Sequence, residues 1–492
     1  MPYLLYAAWG LAAVLAAAAL VFFGRTARIK RVRAEPVRAR VASTELSRRT
    51  AESLSALIQF RTVSANVQDE YTEWVRLRDH LRKRYPRVHE AMERETISLY
   101  SLLYRWPAKE AKGDPLLFCA HIDVVPAEEG WQHPPFAGDI ADGYVWGRGA
   151  LDCKNVMTCL LEAAEALLAI GFQPDRDIYF AFGHDEETGG QEGAVTMAKL
   201  FALRNLRFAL VLDEGTALKR GLLSLRRPVA EVGVSEKGFM NVRLTTQSAG
   251  GHASKPPRHT ALGYLSEAIC RVEFKPRPPR LTPLIHDLLK ALAPYLPYAW
   301  RFAIANRFSL ARRLSSRESA WVRTTMAPTM ASAGKAANVL PGKAEATLNI
   351  RLLHGETGED ILRYLRDLFT GLGVSVLAMT MSDPSKVSDY TGDTFRALTA
   401  STRRVFGAVP VVPSLMVGGT DARKYEHYSD CVYRFMPFVV SEADMAGVHG
   451  VDERVSVEAL GLAVVFYGDL IQRLAGPAGR PGEPQDLGTV LM

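Results

Sequence analysis

The stretch Leu116–Pro126, LLFCAHIDVVP, runs from apolar residues straight into a histidine and an aspartate two positions apart. Two further runs share its texture, Ile178–Phe182 (IYFAF) and Phe208–Leu212 (FALVL). Each is short, apolar and bounded by polar or glycine signals, the pattern of strands buried on both faces in a parallel sheet. Between the first two lies Asn155–Ile170, rich in Ala, Leu and Glu, which reads as a helix. Alternating strand and helix predicts an α/β domain with a mostly parallel sheet. In such sheets chemistry gathers at the carboxyl ends of the strands. His121 and Asp123 stand at one such end.

Outward from this core, residues 46–60 read as an amphipathic entry helix, and the texture changes near Ser235. Phe239–Thr246 and Lys343–Leu352 alternate apolar and polar, as half-exposed antiparallel strands do. Gly358–Leu372 reads as a helix with Thr357 as its cap and Gly373 at its close, and Val374–Met379 as another strand. These elements predict a small α+β lid inserted in the larger domain. The expected organisation is a transmembrane anchor over 1–24, a basic linker over 25–45 and a catalytic domain in two parts, 46–234 and 383–475. The lid occupies 235–382, and a Pro/Gly-rich tail 476–492. Pro279–Ser315 mixes apolar, aromatic and basic residues. It reads as helices packed on the lid, helices lying on a membrane surface, or the wall of an apolar substrate pocket.

The chain has 492 residues and a net charge of +7, but the charge is local. Seven basic residues against the single Glu35 fall between Arg25 and Arg40, so the remainder is nearly neutral. That distribution argues against a nucleic-acid surface, which needs basic residues clustered on the folded body. The basic segment follows Leu4–Phe23, about twenty residues without a charge, long enough as a helix to cross a hydrocarbon core of ~30 Å. A signal peptide carries its charges ahead of a shorter apolar run, so an uncleaved single-pass anchor is expected. The positive-inside rule then favours a cytoplasmic catalytic body. Five cysteines without disulfide or zinc-knuckle spacing are compatible with a reducing compartment.

Five segments hold the chemistry. CAHIDVVP supplies His121 and Asp123; on a strand, residues two apart share a face, so Asp123 can support a ligating imidazole from behind. GRGALDCKN supplies Asp152, a bridging carboxylate or a plain helix cap. GHDEETGGQEGA supplies Asp185, Glu186 and Glu187, adjacent carboxylates whose repulsion a cation would relieve, or a solvated acidic loop. LVLDEGT supplies Asp213 and Glu214, and AGVHGVDERV supplies His449. Together they offer oxygen and nitrogen ligands suited to Zn²⁺.

In this order, the segments resemble zinc metallopeptidase family twenty, which includes carboxypeptidase S, aminoacylases and succinyl-diaminopimelate desuccinylase. GRGALDCKN and GHDEETGG look closest to the carboxypeptidase S and N-fatty-acyl-amino-acid hydrolase branch. The resemblance covers roughly residues 50–475 and implies a zinc-aminopeptidase-like catalytic domain with a dimerisation-type lid. It also implies two zinc ions per chain. One would be held by His121 and Asp213, the other by Glu187 and His449, with Asp152 bridging them. Glu214, next to Asp213, leaves open which of the two carboxylates ligates. Glu186 would be the general base and Asp123 the partner of His121. Ala120 stands where the family usually has Gly.

The lid segment SAGGHASKP resembles the one whose histidine stabilises the oxyanion, which gives that role to His252; in dimeric relatives this histidine serves the partner subunit. Asn338, Arg351, Gly419 and Thr420, with Asp421, match positions around the substrate, and Arg351 suits a carboxylate clamp. The expected reaction is hydrolysis of an amide or peptide bond next to a free amino-acid carboxylate, of carboxypeptidase or dipeptidase type. The alternatives are an N-acyl (or fatty-acyl) amino acid amidohydrolase and, more remotely, a non-catalytic membrane-bound binding protein. No Gly-x-Ser-x-Gly elbow is present, which disfavours an acyl-enzyme route. A homodimer through the lid is a further expectation of the resemblance.

Overall fold

The computed structural model describes residues 2–32, 42–64, 71–306, 310–314 and 318–476. Residues 477–492 of the tail, and the linker residues 33–41, lie outside that set. The chain divides into two compact units. One comprises residues 33–234, 387–414 and 420–492; the other comprises 1–32, 235–386 and 415–419.

The first unit is built on an eight-stranded sheet. Its order is Glu93–Ile97, Ser101–Trp106, Ile178–Gly183, Leu116–His121, Leu210–Lys219, Val432–Val440, Val229–Glu236 and Val411–Met416. Leu116–His121 lies between parallel neighbours on both sides, and Val432–Val440 runs parallel to Leu210–Lys219. Ser101–Trp106 joins antiparallel, as does the hairpin partner Glu93–Ile97. The sheet is therefore parallel at its centre and antiparallel farther out, where the sequence predicted mostly parallel pairing. The antiparallel outer strands come from sequence without the continuous apolar runs that mark the centre.

Both faces of the central strands are covered, which is why they read as unbroken apolar runs. Leu117, Cys119, Tyr179 and Ala181 point to one side, into a cluster with Met197, Phe201, Phe208 and Tyr425. Their alternates Phe118 and Phe180 stack with ring centroids 5.8 Å apart, and Phe118 meets Tyr467 of the helix Val457–Ala475 edge-on. Burying one such aromatic contributes about 1.5–3 kcal/mol. Helices Thr44–Ile58 and Lys154–Ala169 pack against Val457–Ala475 and each other. The first is started by Ser43, whose hydroxyl accepts the Leu46 N–H.

The second unit contains a four-stranded antiparallel sheet, ordered Thr325–Ala333, Lys343–Leu352, Gly238–Gln247 and Ser375–Ser382. Helices Ala261–Phe274 and Gly358–Leu368 cover one face, burying Met240, Val242, Leu348 and Ile350 against Leu265 and Leu365. Thr357 caps the second helix in a reciprocal box with Asp360. That helix ends at Leu368, earlier than the sequence suggested. Strand Thr325–Ala333 and helix Ala261–Phe274 were not among the predicted elements; the strand carries Pro328, and most of its residues are exposed, so it lacks a clean period. Residues 283–305 form short helices, Pro283–Leu292 and Tyr298–Ala305. The apolar helix Pro2–Ala27 belongs to this unit as well.

Candidate metal centre

Two strand ends, a bulge within the strand Leu210–Lys219 and two glycine-containing loops of the first unit converge on one cluster of donors. His121 closes its strand and is almost fully buried. Its Nε2 lies 3.0 Å from Asp152 Oδ1 and 3.8 Å from Glu214 Oε1. The other ring nitrogen, Nδ1, is 3.0 Å from the Asp123 carbonyl oxygen and 3.4 Å from its carboxylate. An imidazole held on one nitrogen presents the other in a fixed direction. The Asp123 carboxylate also accepts the backbone N–H groups of Glu186 and Glu187, at 3.2 and 3.1 Å. One buried aspartate thus orients the histidine and shapes the turn that carries the paired glutamates.

Asp152 lies in the turn that leads into the helix Lys154–Ala169, and its peptide bond to Cys153 is cis. Its second oxygen, Oδ2, is 3.1 Å from His449 Nε2. His449 Nε2 is also 3.2 Å from Glu187. His449 sits at φ +59°, a left-handed conformation that non-glycine residues rarely adopt and that tends to mark functional loops. Donor atoms of His121, Glu186 and Glu187 lie within 4.8 Å of one another, as do those of Asp152, Glu187 and His449.

The third group of this kind joins His121 and Asp152 to Cys153 and Glu214. Asp213, the residue the family pattern pointed to, is absent from it. Both Asp213 oxygens accept backbone N–H groups, from Glu214 at 2.9 Å and Ala422 at 2.7 Å. The cause is a bulge: Arg434 pairs with Asp213 but Phe435 pairs with Thr216, leaving Glu214 and Gly215 over. A bulge re-aims side chains that strict alternation would send to opposite faces. Here it turns Glu214 toward His121 while Asp213 secures the neighbouring loop. Alternation along LVLDEGT gives no hint of it.

Electrostatically the cluster is rich in buried carboxylates. Burial, with Glu187, Asp123 and Asp152 nearby, pushes Glu186 up to about 8, against the pull of His121. Burial and Asp152 raise Glu214, and burial raises Asp213 to about 6. Burial would raise Asp152 too, but hydrogen bonds to His121 and His449 hold it well below the usual range. Those bonds, with Glu187, push His449 up to about 10. Imidazole and carboxylate donors with negative charge in excess are what a pair of divalent cations would neutralise, so zinc fits this donor set.

Arg148 and Glu453 support the cluster and were not singled out from the sequence. Glu453 accepts the N–H groups of Leu151 and Asp152 at 2.7 and 2.9 Å and that of Gly149 at 3.2 Å, while pairing with Arg148. Arg148 also donates to the Gly450 carbonyl at 2.8 Å. Asp421 occupies a notch between Gly183 and Gly190, where an added Cβ would meet its oxygens at 2.8 and 2.3 Å. Burial, with Glu186 and Asp213, raises the Asp421 carboxyl. Thr420 caps the short turn Asp421–Tyr425 through the Ala422 N–H.

The other predicted site residues belong to the second unit. His252 is exposed, in a two-residue strand paired with Val339. Its Nδ1 accepts from the Ser254 N–H at 3.2 Å and lies 2.8 Å from the Ser254 hydroxyl. The adjoining Asn338 carbonyl accepts the Ala253 N–H. Arg351 lays its guanidinium over the Phe239 ring, 4.8 Å from the centroid. Gly419 stands near the Glu236 carboxylate, 3.8 Å from where a Cβ would be.

The model of peptidase family M20/M25/M40 matches residues 117–473, and the chain belongs to that family. It is a zinc-dependent hydrolase, and the three overlapping donor groups are consistent with a binuclear zinc site. Among its relatives, the probable carboxypeptidase S-like 2 of Dictyostelium discoideum is 36% identical over 438 residues, covering 86% of this chain and 84% of that one. The N-fatty-acyl-amino acid synthase/hydrolase PM20D1.1 of Danio rerio is 35% identical over 448 residues, covering 87% and 86%. The fold is shared with the M20 family metallo-carboxypeptidase Sso-CP2 of Sulfolobus solfataricus, at TM-score 0.65 and 16% identity over 86% and 98% of the chains. It is shared too with human carnosine dipeptidase 1, at TM-score 0.60 and 16% identity over 87% and 96%.

Proposed function

We propose that this protein is a membrane-anchored two-zinc hydrolase of carboxypeptidase or dipeptidase type, cleaving an amide or peptide bond next to a free amino-acid carboxylate. The observation that carries the reading is the double engagement of Asp152, one oxygen toward His121 and the other toward His449. His121, Asp152 and Glu214 would hold one zinc, and Asp152, Glu187 and His449 the other; Glu214 takes the role first expected of Asp213. Bound there, zinc supplies Lewis acidity and lowers the pKa of water toward neutrality.

Glu186, whose backbone is pinned by Asp123, takes the proton of the attacking water and returns it to the departing amine. His252 is assigned the oxyanion donor's role on the family pattern. The Ser254 N–H pointing at Nδ1 supports it, because neutral His252 then carries its proton on Nε2. Arg351 is assigned the substrate carboxylate, with Asn338, Gly419 and Thr420 around it.

The similarity to N-fatty-acyl-amino acid synthase/hydrolases favours a second reading, hydrolysis of N-acyl amino acids at the same bond. A hydrolysis panel with zinc-loaded protein separates the two: dipeptides turned over faster than short- or long-acyl amino acids support the first, and the reverse order the second. No turnover of any of them would sink both.

The anchor reading rests on Trp9–Ala27, an apolar helix segment with almost no burial. Its end is engaged by the lid unit, which supports retention rather than cleavage. Positive charge after the helix favours a cytoplasmic body. A homodimer through the lid is supported by Ser375–Ser382, an edge strand that exposes Leu377, Met379 and Met381.

A further inference from the structure

Residues 22–32, where the apolar helix ends, are held by a specific set of contacts within the lid unit. Asn306 Nδ2 donates to the Phe22 carbonyl at 3.2 Å and to Thr26 Oγ1 at 3.3 Å. Arg301 donates to the Ile29 carbonyl at 3.1 Å, and the Val32 N–H to the Pro294 carbonyl at 2.9 Å. The Phe302 ring meets Phe22 and Phe23 at centroid distances of 6.4 and 5.7 Å.

These contacts border an open cavity of about 860 Å³ between the end of the apolar helix and the helices Pro283–Leu292 and Tyr298–Ala305. Arg25, Arg28, Lys30, His286 and Lys290 line it, Ile29 and Ile304 give it an apolar side, and among the described residues no carboxylate lines it. The nearest acid on these elements is Asp287, 3.3 Å from Lys290 Nζ and 3.8 Å from His286 Nδ1. Arginine and lysine converging on one space favour a phosphate-bearing anion, which guanidinium binds bidentately. The volume and the apolar side exceed what a bare anion fills and suit a headgroup with the first carbons of its chains. The cavity also lies where a spanning Trp9–Ala27 helix would leave the hydrocarbon, at the level of lipid phosphates.

We propose that this cavity binds the phosphate headgroup of an anionic membrane phospholipid, seating the lid unit against the bilayer surface. The proposal rests on the reading of Trp9–Ala27 as a membrane span, and the two are tested separately. Full-length protein in mild detergent is mixed with phosphatidylglycerol or phosphatidylcholine of the same acyl composition, and lipid adducts are counted by native mass spectrometry. The expected result is at least a tenfold preference for phosphatidylglycerol. That preference should disappear in Arg28→Glu/Lys290→Glu and fall in the milder Arg28→Gln/Lys290→Gln, with thermal melting and basal hydrolysis unchanged.

Equal adducts with both lipids, or a preference that survives in folded variants, overturns the proposal. Displacement of the lipid by millimolar inorganic phosphate overturns the lipid assignment in favour of a soluble anion. Alkaline carbonate extraction tests the span: protein retained in the membrane pellet supports it. Release into the supernatant refutes the span, and with it the headgroup-level placement, even where the lipid preference persists.

Discussion

Arg148 and Glu453, 305 positions apart in the chain, form a fully buried ion pair at 2.6 Å. The pair does more than neutralise two charges. Glu453 also receives the N–H groups of Leu151 and Asp152, and Arg148 reaches the carbonyl of Gly450, the residue after His449. The loops that present Asp152 and His449 are thereby locked to each other before any cation arrives. A metal site needs this kind of support, because donors left mobile must be ordered at the moment of binding.

Glu453→Gln leaves Arg148 buried without a counter-charge. It should destabilise the protein by about 3–5 kcal/mol and weaken zinc binding by roughly ten- to a hundredfold. Denaturant titration and zinc competition check the two effects. Pairing Glu453→Leu with Arg148→Met removes the unpaired charge but leaves the Gly149, Leu151 and Asp152 N–H groups without their acceptor, so it should recover stability only in part and zinc affinity not at all. An unchanged denaturation midpoint in Glu453→Gln would show that the pair is not structural.

The site was legible in the sequence where a residue follows an apolar run directly. His121 and Glu186/Glu187 stand at the ends of strands whose hydrophobicity announces them, and they meet in space as their motifs suggested. The rest was hidden for physical reasons. The bulge at Glu214–Gly215 is set by pairing with a strand more than two hundred residues away, so local alternation could not show which carboxylate faces His121. Arg148 and Glu453 are a charge pair whose burial is a tertiary fact. In the fold, the central parallel strands declared themselves by composition, whereas Thr325–Ala333, mostly exposed and interrupted by Pro328, carried no period to read.

Glu214→Gln should lower bound zinc from about two ions per chain toward one, because the His121 cluster loses a charged donor. Asp213→Asn should keep both ions. It should cost about 1–3 kcal/mol of stability, since an amide offers one acceptor oxygen where two backbone donors now bind. Elemental analysis of the purified variants decides between them. Loss of zinc in Asp213→Asn with retention in Glu214→Gln would reverse the assignment.

Lys237 gives the lid unit a pH-dependent stability. It is buried, donates to the Ala320 and Arg323 carbonyls at 3.0 and 2.8 Å, and is pulled down to about 7 by burial and by Arg351. Below about pH 7 the amine is protonated in both folded and unfolded chains, and the cost of burying the charge is fully present. Between about pH 7 and its ordinary value of 10.5 the unfolded chain binds the extra proton, so stability rises with pH. Thermal melts at pH 7 to 9.5 should show the wild type gaining on Lys237→Met, by on the order of a few kcal/mol at most. A constant gap would mean that the two carbonyls keep the ammonium charged throughout.

The most direct test of a two-zinc hydrolase is zinc content measured together with turnover in Glu186→Gln. Two zinc ions per chain should remain in wild type and variant alike, because Glu186 is assigned the proton and not the metal. Turnover of dipeptides and N-acyl amino acids should be abolished in the variant. Normal turnover in Glu186→Gln, or a wild-type enzyme that hydrolyses these substrates without zinc, would contradict the account.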